Sequence, residues 1–128
     1  MASSELRFTR SHCWVREEGD EVVAGITDYA QEQMSELTFV ELPEVGEHVE
    51  EEAEVAVVES AKSANDVYAP LAGTITAVNE ALAEQPELVN HDPFGKGWIF
   101  KLKPDDWADL NGLLDADGYE AELPDEDE

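Results

Sequence analysis

The chain has 128 residues, a length that fits one domain and leaves little room for a second. It carries 32 Asp and Glu residues against 7 Lys and Arg residues, which gives a formal net charge of −25. A surface this acidic repels nucleic acid and anionic membranes, so neither is expected as a partner.

The composition nevertheless excludes a disordered chain, because Leu, Ile, Val and Phe supply 30 of the residues. Such an acidic excess resembles that of proteins from halophilic organisms, and we expect folding to need high salt. The single cysteine rules out an intramolecular disulfide, and no apolar run approaches the roughly 20 residues that span a bilayer. We therefore expect a cytoplasmic protein.

The first part of the chain predicts a β-hairpin, a short helix and a strand. The runs HCWVR and VVAGI flank the turn EEGDE, which has Gly and Asp at its centre. Thr27 or Asp28 can cap a helix whose apolar side consists of Ala30, Met34 and Leu37. The run TFVEL then alternates as a strand up to a proline.

The middle of the chain predicts a second hairpin. Along EVAVVES, Val55 and Val57 lie on one face of a strand and Ala56 and Val58 on the other. The small polar run SAKSAN interrupts this alternation, and DVYAPLAG and TITAV continue as extended segments. We therefore place a tight turn at SAKSAN, and Lys62 lies at its tip.

The last part predicts helical turns, a strand and a C-terminal helix. NEALAEQPELVN predicts two helical turns separated by Pro86, and DPFGKGWIFKLKP a glycine-rich loop that leads into a strand. DDWADLNGLLDADGYEAEL is expected to be helical, with Asp105 as its cap. Its apolar stripe consists of Trp107, Leu110, Leu113 and Leu114.

These elements predict a mainly β fold, a small sandwich or barrel with short peripheral helices and a C-terminal helix. We expect a single domain that is ordered over about 8–121, with an acidic tail at 122–128. The three histidines are far apart in sequence and show no ligand spacing, so no metal site is expected. No pair of a nucleophile and a base suggests catalysis either.

Lys62 differs from its surroundings, since it is the only Lys or Arg between Glu17 and Gly95. Its neighbours Ala61 and Ser63 are small, which leaves the ε-amino group reachable at the tip of a hairpin held by its strands. These features fit covalent acylation by another enzyme. An ordinary solvated turn lysine fits them as well, so both interpretations stay open at this point.

Several segments together resemble one family, the H protein of the glycine cleavage system. In chain order they are SHCWVR, GITDYAQEQM, FVELPEVGE, VVESAKSANDVYAPLAG, VNEAL, PELVN, DPFGKGW and KLKP. The resemblance extends from about Phe8 to Leu123. The ESAK and APLAG runs resemble lipoyl-attachment domains generally, whereas GITDYAQ and FVELPEVG are much more specific to the H protein.

The resemblance implies a lipoyl-type barrel-sandwich hybrid and a non-catalytic carrier. Lys62 would hold lipoic acid in amide linkage, flanked by Glu59, Ser60 and Asp66. The carrier would take an aminomethyl group from the P protein, glycine decarboxylase, to the T protein, aminomethyltransferase. It would pass electrons to the L protein, dihydrolipoyl dehydrogenase, and a lipoyl-attaching enzyme would modify it.

The resemblance also implies a surface groove for the loaded arm, at Ser11, Cys13 and Asp66. The family usually has Glu where this chain has Cys13, so one acidic contact to the cationic amine would be lost while Asp66 remains. An acidic surround would oppose formation of a Cys13 thiolate. We interpret the change as a tolerated substitution.

Two other functions remain open. Cys13 leaves room for an H-like protein that relays lipoyl groups to other enzymes without serving glycine cleavage. An interaction domain whose Lys62 is never modified is the second alternative. Glu59 and Asp66 beside the tip could orient a modifying enzyme or be solvated acids. A biotin carrier is disfavoured, because SAKS lacks the methionines that usually flank a biotinyl lysine.

Overall fold

The computed structural model describes residues 6–9, 11–34 and 36–122. The described residues form nine strands, four α-helices and one 3-10 helix. The strands are β1 (Leu6–Phe8), β2 (Cys13–Glu18), β3 (Glu21–Ile26), β4 (Leu37–Glu41), β5 (His48–Val49), β6 (Glu54–Ser60), β7 (Ala64–Tyr68), β8 (Gly73–Val78) and β9 (Phe100–Pro104). The helices are α1 (Asp28–Met34), α2 (Ala81–Glu84), α3 (Leu88–His91), the 3-10 helix (Trp107–Gly112) and α4 (Ala116–Glu122). The acidic tail expected at 122–128 lies outside the described residues, except for its first position.

The strands make two antiparallel sheets. The larger has the order β1-β2-β3-β9-β8-β5, and the smaller has the order β4-β6-β7. Both predicted hairpins are confirmed: β2 pairs with β3 around a turn in which Gly19 has a φ of 65°, and β6 pairs with β7 around the SAKS tip. The mainly β fold with short helices at its edges is as predicted.

The main hydrophobic core includes residues of both sheets. Val15 and Val22 of the larger sheet and Val58 of the smaller one are buried in the same cluster. Along β6, Ala56 and Val58 are buried while Val55 and Val57 are half-buried, which confirms the predicted alternation. Burial of such side chains is the dominant favourable contribution to folding.

A second, smaller core covers the opposite face of the larger sheet. It contains Phe8, Trp14, Val23 and Tyr119. The first three lie on β1, β2 and β3, where neighbouring residues face opposite sides of the sheet, and Tyr119 belongs to α4. The ring of Phe8 stacks on that of Tyr119 with centroids 4.7 Å apart. The indole nitrogen of Trp14 donates a hydrogen bond to the Pro93 carbonyl at 2.9 Å. The C-terminal helix is therefore anchored to the first strands.

The helix predicted over DDWADLNGLLDADGYEAEL is wrong as a continuous element, because the chain is extended between the 3-10 helix and α4. Leu114 forms a β-bridge with Phe8, and the two backbone hydrogen bonds of that bridge are 2.7 and 2.8 Å long. An extended partner for β1 is incompatible with a helix at Leu114. Of the predicted stripe, Leu110 is buried, Leu113 and Leu114 are half-buried, and Trp107 is exposed.

Two local assignments differ from those predicted, and a third settles which of two predicted residues caps α1. Asp106, and not Asp105, caps the 3-10 helix by accepting a 3.0 Å hydrogen bond from the Ala108 amide. Thr27 is the residue that caps α1, through a 3.2 Å bond from the Ala30 amide. Leu37 begins β4 instead of completing the apolar side of the helix.

Candidate functional site

The β6–β7 hairpin presents Lys62 at a tip that its own backbone closes. The Ser60 amide donates to the Ser63 carbonyl at 2.8 Å, and the Lys62 amide donates to the Ser60 hydroxyl at 3.3 Å. The side-chain amide of Asn65 donates to the Ser63 hydroxyl at 3.2 Å. These hydrogen bonds hold the backbone on both sides of Lys62. The sequence predicts that the flanking strands hold the tip, and the tip's own hydrogen bonds are an addition to that prediction.

The side chain of Lys62 is exposed and forms no salt bridge with any residue in the described parts of the chain. Glu59 is half-buried at the end of β6, opposite Ala64. Asp66 is exposed on β7, opposite Val57. Both predicted acids thus lie on the hairpin, and neither is ion-paired with the lysine.

A groove of about 450 Å³, here called the arm groove, lies beside the hairpin. The three residues expected to lie on such a groove, Ser11, Cys13 and Asp66, all line it. The structure therefore brings together residues from the turn before β2, from β2 and from β7. The remaining lining residues are His12, Ile26, Tyr29, Ala30, Gln33, Met34, Ser63, Asn65, Val67 and Tyr68.

Cys13 belongs to the hydrophobic core as much as to the groove. It is 1% exposed, and burial raises the pKa of its thiol to about 12. The thiol donates a weak hydrogen bond to the Trp14 carbonyl at 3.8 Å. The expectation from sequence was that an acidic surround would oppose ionisation, but desolvation is the larger cause.

The groove also contains a hydrogen-bonded histidine that the sequence did not indicate. His12 has a φ of 72°, a left-handed conformation that is uncommon outside glycine and that costs about 1–3 kcal/mol. Its Nδ1 lies 2.7 Å from the Tyr119 hydroxyl, which lies 2.7 Å from the Thr27 hydroxyl. Burial raises the pKa of Tyr119, so the phenol keeps its proton. A separation of 107 residues leaves no local signal for this contact.

A second, open groove of about 660 Å³ lies against Lys62 itself. Its lining includes Glu36, Leu37, Thr38, Ala61 and Pro86. Sequence reasoning did not anticipate it, because its walls come from β4 and from the loop after α2. Both grooves border the tip, one of them lined by Lys62 and the other by Ser63.

Two other features are missing from the residues that the structure describes, a metal site and a membrane-spanning helix. Within the described ranges, no three His, Cys, Asp or Glu side chains are grouped so that they could hold a metal ion. No helix in those ranges is both long and apolar enough to cross a membrane.

A two-sheet β fold with a hydrogen-bonded hairpin, an exposed lysine at its tip and a groove beside it is the arrangement expected of a carrier domain. The family model described as Glycine cleavage H-protein matches residues 6–126. The chain therefore belongs to the glycine cleavage H protein family.

The relatives agree with this assignment. A glycine cleavage system H protein of Thermus thermophilus is 57% identical over 119 residues, with 93% of each chain covered. One from a Psychrobacter species is 53% identical, covering 94% of this chain and 96% of its own. The crystal structure of the Mycobacterium marinum H protein superposes with a TM-score of 0.84 at 35% identity, over 92% of this chain and 95% of the other.

Members of this family are non-catalytic lipoyl carriers, and this chain is the lipoyl-bearing shuttle of a glycine cleavage system. Its fold is the barrel-sandwich fold of the solved H protein.

Proposed function

We propose that Lys62 is the residue that carries the lipoyl group, through an amide to its ε-amino group. The single observation that carries this proposal is an exposed lysine, without an ion pair among the residues that the structure describes, at a hairpin tip closed by Ser60 and Ser63. When bound, the lipoyl group supplies a disulfide that accepts the aminomethyl cargo and electrons. Small neighbours leave room for a modifying enzyme and for the partner active sites.

The arm groove holds and shields the cargo in this proposal. Asp66 accepts charge-assisted hydrogen bonds from the cationic amine of the cargo. Ser11, whose hydroxyl is 2.9 Å from that of Thr9, supplies a further polar contact. Ile26 and Met34 line the groove with apolar surface that excludes water.

The partners are the P protein, the T protein, the L protein and a lipoyl-attaching enzyme, which act on one domain spanning about 8–121. Tethering raises the local concentration of the reactive group at each active site.

We place the protein in the cytoplasm, because a buried free cysteine suits a reducing compartment. We also propose that its acidic surface is an adaptation to a salt-rich habitat.

The proposal is tested by glycine decarboxylation exchange with a P protein. Lipoylated wild-type protein should support exchange of label between bicarbonate and glycine, and Lys62→Arg should abolish it. Lys103→Arg is the matched control, because Lys103 is also an exposed lysine but lies on β9. Full exchange by Lys62→Arg would disprove the assignment of the attachment site.

The same assay separates the shuttle from a relay of lipoyl groups. The altered groove residue, Cys13, is the observation that keeps a relay under consideration. A pure relay would accept the lipoyl group on Lys62 and yet give no exchange with the P protein. An interaction domain would not be lipoylated at all.

A further inference from the structure

His12 lines the arm groove and has one ring nitrogen engaged and one free. Nδ1 is 2.7 Å from the Tyr119 hydroxyl, while Nε2 makes no hydrogen bond to any residue in the described ranges. Two aromatic rings also contact the imidazole, since its centroid lies 5.0 Å from that of Tyr29 and 5.7 Å from that of Tyr119. The side chain is therefore fixed without the use of Nε2.

The backbone holds His12 in place as firmly as the ring contacts do. Its amide donates to the Thr9 carbonyl at 3.1 Å, and its carbonyl accepts from the Thr27 amide at 3.0 Å. His12 makes both of these backbone hydrogen bonds in a left-handed conformation, with a φ of 72°. Strain of this kind persists only where the surrounding structure over-determines it, and it is concentrated at binding sites.

The groove offers little negative charge to a cation. Of the described residues that line it, Asp66 is the one with a carboxylate, and the neighbouring Cys13 is a neutral thiol. Burial lowers the pKa of His12, so its imidazole is neutral at neutral pH. A neutral imidazole has one donor and one acceptor nitrogen, and the partner of one nitrogen sets the role of the other.

We propose that His12 is a second holding group for the aminomethyl cargo, with Nε2 accepting a hydrogen bond from its amine while Asp66 accepts another. In this arrangement Nδ1–H donates to the Tyr119 hydroxyl, and that hydroxyl donates to Thr27. Tyr119 and Thr27 are then positioning residues, because they fix the tautomer and the direction of Nε2. The inference rests on the proposed role of Lys62 and of the arm groove.

The first test observes His12 directly by ¹⁵N NMR of the imidazoles in lipoylated protein, before and after loading with glycine by a P protein. We expect loading to shift the Nε2 resonance and to lower the pKa of His12, because a hydrogen bond donated to Nε2 stabilises the neutral ring and the cationic amine opposes a second positive charge. His48, which lies on β5 beside Asp105, is the internal control and should not change.

Mass spectrometry of the same sample separates the two proposals. If Lys62 carries no lipoyl group, the proposed function fails and this inference fails with it. If the protein is lipoylated and loaded but the His12 resonances do not move, this inference alone is overturned.

The second test measures how fast purified, loaded protein releases ammonia. His12→Asn suits the left-handed backbone but is too short to replace Nε2, so release should be about tenfold faster. Tyr119→Phe keeps the stacking on Phe8 but removes the hydroxyl that orients His12, so release should also be faster. His48→Asn should retain the cargo as wild-type does, and equal retention by His12→Asn would overturn the proposal.

The pH profile distinguishes a binding role from a structural one. Protonation of His12 removes the acceptor at Nε2 and places a positive charge beside the amine, so release should accelerate as pH falls through the pKa of His12. Of the other titratable groups, Cys13, Tyr29, Asp66 and Tyr68 line the same groove, and Tyr119 contacts Nδ1 of the ring. His12→Asn should lose this acceleration, and a profile identical to that of wild type would contradict the proposal.

Discussion

Cys13 carries a thiol, a group that is often reactive, but its burial in the core makes it unreactive. Its thiol is buried in the core, and burial raises its pKa to about 12 from an ordinary value of 9.0. The thiolate is the reactive species, so the folded protein at pH 7 should alkylate about a thousandfold more slowly than the unfolded chain.

Iodoacetamide labelling followed by mass spectrometry, with and without urea, measures this difference. Equal labelling rates in the two conditions would show that Cys13 is open to the groove as a thiolate. Slower alkylation in the absence of urea would support the assignment of Cys13 as a buried, neutral thiol at the arm groove.

The contact between His48 and Asp105 carries a second prediction at the same scale. The hydrogen bond from His48 Nε2 to Asp105, 2.7 Å long, raises the pKa of His48 above the ordinary 6.5. A raised pKa in the folded state means that protonation favours folding. The resulting stabilisation is complete below about pH 6.5 and is lost as pH rises through the folded-state pKa.

NMR titration of His48 in wild type and in Asp105→Asn tests this assignment. The variant should titrate at lower pH than wild type, since its amide cannot stabilise the imidazolium as a carboxylate does. Identical titrations would show that the contact does not persist in solution.

Among the elements, β8 depends on a glycine for its pairing. Gly73 lies between Val49 of β5 and Pro104 of β9, and a Cβ there would collide with the backbone carbonyl of Lys103. Gly73→Ala should therefore lower the free energy of unfolding by about 1–3 kcal/mol, because backbone cannot easily move aside.

Urea denaturation followed by tryptophan fluorescence measures the effect. Gly112→Ala is the matched control, because a Cβ at Gly112 would meet no atom within 4 Å. A Gly73→Ala variant as stable as this control would refute the close approach of the two strands.

The elements that local patterns determine were predictable, and those that distant contacts determine were not. Alternation located β6, and the small polar run located the tip at Lys62. The chain is extended before α4 because Leu114 pairs with Phe8, which lies more than a hundred residues earlier. A helical spacing of apolar residues cannot reveal a strand partner so distant in sequence. The hydrogen bond between His12 and Tyr119 was not predictable from the sequence for the same reason.

For the molecule as a whole, charge should set the dependence of stability on salt. With a net charge of −25, self-repulsion opposes the compact state. Raising the salt concentration from 0.1 to 1 M shortens the Debye length from about 10 Å to about 3 Å, so the melting temperature should rise.

Calorimetry in NaCl and in KCl measures this effect, and screening predicts the same rise in both salts. A melting temperature that does not change with salt concentration would contradict the proposed adaptation to salt. It would not bear on the carrier function. Net charge follows from composition alone. The two grooves that border the hairpin tip could not be predicted, because their walls come from segments far apart in the chain.

The most direct test of the account is the chemical state of Lys62 after expression in cells that lipoylate their own proteins. Intact mass and peptide mapping should find one lipoyl group per chain, on Lys62, and none on the Lys62→Arg variant. A bare Lys62 in cells whose other lipoyl proteins are modified, or a lipoyl group on another lysine, would contradict the account.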